Sequence, residues 1–558
     1  MNHVANRPAT VETRIAAGRP IFPADLGAGA PAEAWARLLA SEPVAALERV
    51  RGSFAVAASL GEGRFLLAVD RFAVQSLCWS FEGGEFRFAE RADALAGSAE
   101  PDPQALFDYL YFHVIPSPRT VFRGVHRLPP GHYAYFDGSR VTVAPYWTPA
   151  FRPASGRADF EALKREFIGL LQQSTADALD GGKAACFLSG GTDSSSVAGM
   201  IARVAGKDTH AYSIGFEAEG YDEMAYARIA AKAYGVVHHE YYVTPEDLVA
   251  SIPAVAAHYD QPFGNSSALP AYYCAKMARD DGVTRILAGD GGDELFGGNS
   301  RYAMQRVFGW YRQVPSPLRA VMEPFFALGP VSRTPLLKKG TGYIRQATVP
   351  LPDRLQSYNL LDRLGPGSVF TADFLRQVNP AGPIEQQREV WRAADAADDL
   401  DRNLAFDWRY TLAENDLPKV CGTTGLAGLQ VGFPMLDERL VDFSMRLPVD
   451  YKLKGLKLRW FFKEALRGFL PDEIITKKKH GFGLPFGVWA VRHQGLNALA
   501  QDSLRSLAGR GVIRPDFVDS LLGSLTREHA GYYGEMVWIL MMLEQWIRQR
   551  RPEYRFRG

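Results

Sequence analysis

Two short stretches hold residues suited to gripping a nucleoside triphosphate. The first reads Ser189-Gly190-Gly191-Thr192-Asp193-Ser194-Ser195 and follows the apolar run 184–188. A strand that ends in such a turn and continues into a helix aims backbone N–H groups and the helix dipole at one point, where an anion settles. The glycines carry no Cβ, so the backbone can come close. Ser189, Ser194 and Ser195 add hydroxyls, and Asp193 offers a carboxylate to a metal that bridges phosphates. A glycine pair by itself is more often the cap of an ordinary crossover; the complete heptad behind an apolar strand carries the phosphate reading. The other stretch is Leu287-Ala288-Gly289-Asp290-Gly291-Gly292-Asp293-Glu294-Leu295-Phe296-Gly297-Gly298. Its acids set among glycines pack poorly but suit Mg²⁺ held beside a nucleotide; the plainer alternative is a solvated acidic turn.

The elements around these stretches follow from periodicity. Helix patterns at 160–179, 194–205 and 223–234 alternate with strand patterns at 184–188, 210–216, 239–243 and 285–288. That alternation predicts a parallel sheet with helices on both faces, whose carboxyl-end loops lie side by side. From about residue 299 the pattern is mainly helical. Before residue 149 it differs: one helix over 31–50, then strands at 53–60, 65–69, 76–81 and 85–89, and a hairpin over 131–146. The expected organisation is a small strand-rich α+β domain over 1–148, a linker near 149–156, and an α/β domain with a helical extension over 149–558.

Composition narrows the partners. The 63 basic and 62 acidic residues nearly cancel, which leaves no global field for nucleic acid. The four cysteines are widely spaced with no CxxC pair, which favours a reducing compartment over a disulfide or zinc framework. No basic-then-apolar leader opens the sequence, and the longest apolar run, 536–543, is far short of a membrane span and reads as a buried helix. The expectation is a cytoplasmic protein with no membrane or nucleic-acid partner. His238-His239-Glu240 is not expected to bind metal, since adjacent strand residues face opposite ways. Lys477-Lys478-Lys479 reads as a solvated turn, with Lys479 the exception if that loop closes on ATP.

The serine-led stretch resembles the pyrophosphate loop of the N-type ATP pyrophosphatases, whose fold is adenine nucleotide α-hydrolase-like. The acidic stretch resembles the asparagine synthetase family. So do Asp222-Glu223, the run Asp260-Gln261-Pro262 to Ser266-Ser267-Ala268-Leu269-Pro270, Pro434-Met435-Leu436-Asp437, and Lys479-His480-Gly481-Phe482-Gly483-Leu484-Pro485-Phe486-Gly487-Val488-Trp489. The resemblance spans roughly 50–489. It implies an ATP-dependent ligase that converts a carboxylate to its adenylate and passes the acyl group to an amine. It further implies Mg²⁺ on Asp193 and Asp293, pyrophosphate against Ser189, Gly190, Gly191, Asp193 and Ser194, and adenosine against Leu188, Ile214 and Gly289. Asp290 stands where these synthetases usually have Glu and the β-lactam-forming relatives Tyr, near the acyl centre, where a carboxylate orients or deprotonates the amine. The place of the family's phosphate-stabilising lysine holds Arg459, with Lys457 two residues earlier, and either of the two is expected to supply the charge.

Departures from the pattern shape the expected function. Arg51-Gly52-Ser53-Phe54-Ala55, Asp70-Arg71-Phe72-Ala73 and Phe88-Ala89-Glu90 resemble a class II glutaminase. Position 2 is Asn2, no cysteine precedes Cys78, and the Asn-Gly-Glu glutamine-recognition segment is missing. Those glutaminases use an N-terminal thiol, so this half is expected to be degenerate. Where the family commonly reads Glu-Val-Arg-Val-Pro-Phe-Leu-Asp, this chain has Gln430-Val431-Gly432-Phe433-Pro434-Met435-Leu436-Asp437. Losing the guanidinium points to another acyl substrate. The amine is then ammonia or part of the substrate, as in lasso-peptide macrolactam cyclases, for which a precursor peptide and its protease would be partners. Asparagine synthesis from ammonia or glutamine, and an idle homologue serving as a scaffold, are the competing readings.

Overall fold

The computed structural model describes residues 11–27, 29–153, 159–206, 208–327, 335–477 and 483–558. Lys478, Lys479 and His480 lie outside the described residues, as does part of the expected linker.

The first 148 residues supply strands β1 (Glu12–Gly18), β2 (Phe54–Ser59), β3 (Phe65–Val69), β4 (Cys78–Glu82), β5 (Glu85–Ala89), β6 (Val125–Arg127), β7 (His132–Phe136) and β8 (Val141–Pro145). They form antiparallel sheets in the orders β1-β2-β3-β7-β8 and β5-β4-β6. Ala55, Ala57, Leu67 and Val69 bury one face of the first sheet, while Trp35, Phe54 and Val56 bury the other. The expected single helix over 31–50 is two, Pro31–Leu39 and Pro43–Leu47. Pro43 cannot donate to a preceding turn and so begins the second. Strand β1 and helix Pro103–Phe112 escaped the sequence reading.

The second sheet is parallel, in the order β11-β10-β9-β12-β13, from β9 (Ala185–Phe187), β10 (His210–Phe216), β11 (Val237–Val243), β12 (Arg285–Leu287) and β13 (Gln430–Gly432). Helices Phe160–Ala178, Thr192–Ala205 and Met224–Tyr234 pack through Phe167, Val197, Ile201 and Ala227 on one face. Helices Ala268–Asp280 and Leu417–Ala427 pack through Ala275, Ala278 and Ala427 on the other. The chain winds outward from β9 through β10 to β11 and then returns to place β12 on β9's other side, with Leu287 opposite Cys186. Such a reversal leaves a crevice at the carboxyl ends of the two strands, where α/β proteins bind ligands. The two glycine-rich stretches leave the sheet at that crevice.

Helix Ala530–Arg550 is buried from Met536 to Ile547 and ties the two halves together. Tyr109 donates to the Ile539 carbonyl at 2.9 Å, and Trp538 to that of Gly264 at 3.0 Å. Among the described residues no helix is long and apolar enough to cross a membrane.

Candidate functional site

The loop after β9 turns through Gly190, whose φ of +69° lies in the left-handed region. A Cβ there would sit 2.5 Å from the Tyr226 carbonyl carbon, so only glycine lets the turn lie on helix Met224–Tyr234. Gly191 caps helix Thr192–Ala205 without a side-chain bond, which leaves first-turn N–H groups for an anion. The Ser194 hydroxyl accepts from the Ser189 N–H at 3.1 Å and lies 3.0 Å from the Ser189 hydroxyl, so both hydroxyls are held at the rim.

The loop after β12 approaches so closely that a Cβ on Gly289 would lie 2.7 Å from the Ser194 nitrogen. It continues into the short helix Gly292–Phe296, entered through Gly291 at φ 103° and left through Gly297 at φ 78°. Glycines therefore seat this helix against the first loop, and Asp193 and Asp293 meet at one guanidinium. Arg459 donates from Nη1 to Asp193 Oδ2 at 2.9 Å, to Asp293 Oδ1 at 2.7 Å and to Thr192 Oγ1 at 2.7 Å, and from Nη2 to Asp193 Oδ1. Two carboxylate oxygens sharing one donor nitrogen are close enough to share a cation. A Cβ on Gly298 would overlap the Asp293 carboxylate.

Of the two alternatives, Arg459 and Lys457, Lys457 is not brought to this point. It lies exposed in the hairpin Leu453–Lys454 and Lys457–Leu458, opposite Lys454. The hairpin ends at Leu458, and Arg459 leaves it through a left-handed backbone, φ 54°, so residues two apart do not share a face. Lys477, expected in a solvated turn, packs instead beneath the serine-led loop. Its side chain is 7% exposed, pairs with Glu223 at 3.1 Å and donates to the Gly190 carbonyl at 3.4 Å.

Between the loops opens a cavity of about 480 Å³. Leu188, Tyr212, Ile214 and Pro270 give it apolar lining, and Ser189, Asp193, Ser194, Asp290, Asp293 and Glu294 give it polar lining. The volume and this mixed lining suit a purine nucleotide. Asp416 and Lys419 complete the wall from helix Leu417–Ala427 and the wide π-type turn Trp408–Asp416 before it. Lys419 Nζ lies 2.9 Å from Asp416 and 3.7 Å from Asp290. Burial raises the Asp290 carboxyl, with Lys419 opposing the shift. Burial, then Asp416 and Asp407, push Glu294 up to about 8. Lys419 is the only cation lining the cavity among the described residues.

Whether this donor set fits a divalent cation turns on what else fills the coordination sphere. Among the described residues no cluster of three or more His, Cys, Asp or Glu side chains could hold a metal unaided. Mg²⁺ commonly takes one or two carboxylates and fills its octahedron with phosphate oxygens and water. The acidic lining would repel a polyphosphate unless a cation accompanied it. Two carboxylates already gathered around one positive charge fit such an ion.

His238 and His239 diverge, His238 to the Ser213 hydroxyl at 2.7 Å and His239 to His210 at 2.9 Å. Gln430 does not line the cavity, and Gly432 borders a separate hollow of about 180 Å³ with Arg285 and Asp437. These two positions therefore lie outside the lining of the larger cavity. Asp416, Lys419 and Glu294 were missed. Glu294 was visible within the acidic run; the other two carry no local signal.

The family profile described as Asparagine synthase matches residues 166–548, and that of the Glutamine amidotransferase domain matches 31–147. A glutamine-hydrolyzing asparagine synthetase 1 of Bacillus subtilis (strain 168) is 24% identical over 488 residues, which cover 86% of this chain and 74% of its own. A putative glutamine-hydrolyzing asparagine synthetase of Mycobacterium bovis is 27% identical over 468 residues, covering 79% and 68%. The amidase chyE of Penicillium rubens is 28% identical over 496 residues, covering 79% and 71%.

Proposed function

Because the chain belongs to the asparagine synthase family, we propose that it forms an amide bond at the expense of ATP, through an acyl-adenylate. A carboxylate oxygen attacks the α-phosphorus and pyrophosphate leaves. An amine nitrogen then attacks the acyl carbon, AMP departs and the amine proton passes to a base. Leu188, Ile214 and Gly289 hold the adenosine, and Ser189, Gly190, Gly191 and Ser194 hold the departing phosphates. Asp193 and Asp293 would hold Mg²⁺, which when bound would offset charge on the phosphates. Arg459 supplies a second positive charge at the same point, though an arginine is a poor proton donor. Asp290, raised by burial and steadied by Lys419, takes the amine proton. The observation that carries this reading is the meeting of Asp193 and Asp293 on one guanidinium in the lining of a nucleotide-sized cavity.

Residues 1–148 act in this reading as a degenerate glutaminase domain beside a synthetase domain over 149–558, in the cytoplasm. Burial pushes the Cys78 and Cys186 thiols up to about 12 and raises those of Cys274 and Cys421 as well. None of the four is poised as a thiolate nucleophile. The nitrogen is then ammonia or the substrate's own amine, and closure of a peptide macrolactam is the favoured specific reaction, with a precursor peptide and its protease as partners. Asparagine formation is the second reading, favoured by the names of the bacterial relatives.

The test is product analysis with ATP, Mg²⁺, a panel of carboxylates and hydroxylamine as trapping amine. AMP, pyrophosphate and a hydroxamate are expected. ADP and phosphate, or ATP binding without turnover on any carboxylate, would replace the ligase with another phosphotransfer or with a scaffold. Parallel reactions with ¹⁵N-labelled glutamine and ammonium separate the nitrogen sources.

A further inference from the structure

A second chamber, of about 520 Å³, lies behind the nucleotide cavity and shares a wall with it. The shared wall is the π-type turn Trp408–Asp416, a geometry that recurs at functional sites. Thr411 lines both spaces, and Asn415 of the chamber accepts from Asn265 of the cavity at 2.7 Å. The chamber is walled by the rings of Tyr111, Phe112, Tyr358, Phe406, Tyr410 and Tyr532. Phe112 stacks on Tyr410 with centroids 5.4 Å apart and planes at 6°, and Phe406 lies 4.8 Å from the same ring, so the wall is fixed by its own packing.

The charges facing this chamber are distinctive. Arg301 is engaged by Asp407 at 2.7 Å and by the Thr411 hydroxyl at 2.8 Å. Among the described residues the one ion-pair contact of Glu535 is with His113, at 3.8 Å, beyond hydrogen-bond range. Burial holds His113 down to about 4, so at neutral pH it brings no positive charge to Glu535. Burial raises the Glu535 carboxyl to about 7 and a bound ammonium draws it back towards the ionised form, so above that pH a carboxylate set among aromatic faces selects an ammonium group, which gains from both the charge and the rings. It repels a second carboxylate such as that of aspartate.

We propose that this chamber receives the aromatic part of an amino-bearing carboxylate substrate, with Glu535 on its ammonium and its carboxylate reaching past Thr411 to the nucleotide. The assignment rests on the ligase reading and names its acyl substrate class: an aromatic amino acid or a short peptide carrying one. Aspartate lacks the ring to fill the space and carries the wrong charge for Glu535.

Calorimetry on the full chain separates the two claims. The probes are L-phenylalanine, 3-phenylpropionate and L-aspartate, with AMP-PNP and Mg²⁺ titrated separately. Phenylalanine is expected to bind at least tenfold more tightly than 3-phenylpropionate, and aspartate not to bind. Glu535→Gln should erase the preference for phenylalanine, and Tyr358→Ala, at a ring that is 56% exposed, should weaken both aromatic probes. AMP-PNP binding should be the same in all three proteins. Aspartate binding as tightly as phenylalanine, no binding of either aromatic probe, or a preference untouched by Glu535→Gln would each overturn the proposal. Failure of AMP-PNP to bind would remove the ligase reading instead and leave the chamber's own result standing.

Discussion

Replacing Arg459 with Met gives the sharpest test of how the two loops are held together. The guanidinium, with its side chain 5% exposed, is bonded to Asp193, Asp293 and Thr192, and the two carboxylates are 19% and 15% exposed. Removing the cation leaves two largely buried negative charges facing each other, and breaking a buried pair in this way costs about 3–5 kcal/mol. Methionine keeps the aliphatic stem and loses the guanidinium, whose carbon lies 4.2 Å from the Phe462 ring, so most of the loss is of charge. The same substitution creates a vacancy of matching charge. Mg²⁺ at a hundredfold excess over its dissociation constant should return about 2.7 kcal/mol. In the unaltered protein the ion must compete with the guanidinium, so its effect should be smaller. Guanidinium chloride unfolding with EDTA and with Mg²⁺ reads both quantities. A variant as stable as the parent in EDTA, or one that Mg²⁺ does not rescue, would refute the idea that the two aspartates form one cation site.

Asp290→Asn should leave pyrophosphate exchange nearly intact and slow transfer to the amine by about 10²–10⁴-fold, as read by single-turnover product formation. Asp70→Ala removes the acceptor of four backbone N–H bonds, from Phe54, Phe72, Val74 and Gln75, at 3.0–3.2 Å. Orphaning buried donors costs about 1–3 kcal/mol each, so denaturant unfolding should show a loss of at least ~3 kcal/mol. Burial raises Glu535 from the usual 4.5 to about 7, so the fold favours its protonated form. That contribution is complete below the unfolded value and is lost as pH rises toward 7. Glu535→Gln should therefore melt higher than the parent at pH 8 and like it at pH 4.5.

Much of the sheet was legible because its signals are local. Strands β3, β5 and β10 occupy the residues their patterns predicted, and the glycines of the two loops announced turns that no other residue type can make. Strand β13 was missed because Gln430, Val431 and Gly432 are too few to show a period, and β1 because its inward positions, Thr13, Ile15 and Ala17, include one strongly apolar residue. The side-by-side placement of the two loops was expected from the parallel strands beneath them, and the pairing of Asp193 with Asp293 from the family resemblance. Arg459's grip on both was not, since it acts across 266 and 166 residues of sequence and depends on a single left-handed residue at the end of a hairpin. Lys477 misled for a related reason: in a run of lysines nothing local marks the one that folds under the serine-led loop. The aromatic chamber draws on helix Pro103–Phe112, the π-type turn and the last long helix, so no segment of the sequence contains it.

The most direct measurement is a crystal structure with Mn²⁺ and a non-hydrolysable ATP analogue, using anomalous scattering to find the ion. The account predicts a peak within bonding distance of both Asp193 and Asp293, the adenine against Leu188 and Ile214, and Arg459 turned from the carboxylates to a phosphate oxygen. A nucleotide bound elsewhere, or an ion touching neither aspartate, would contradict it.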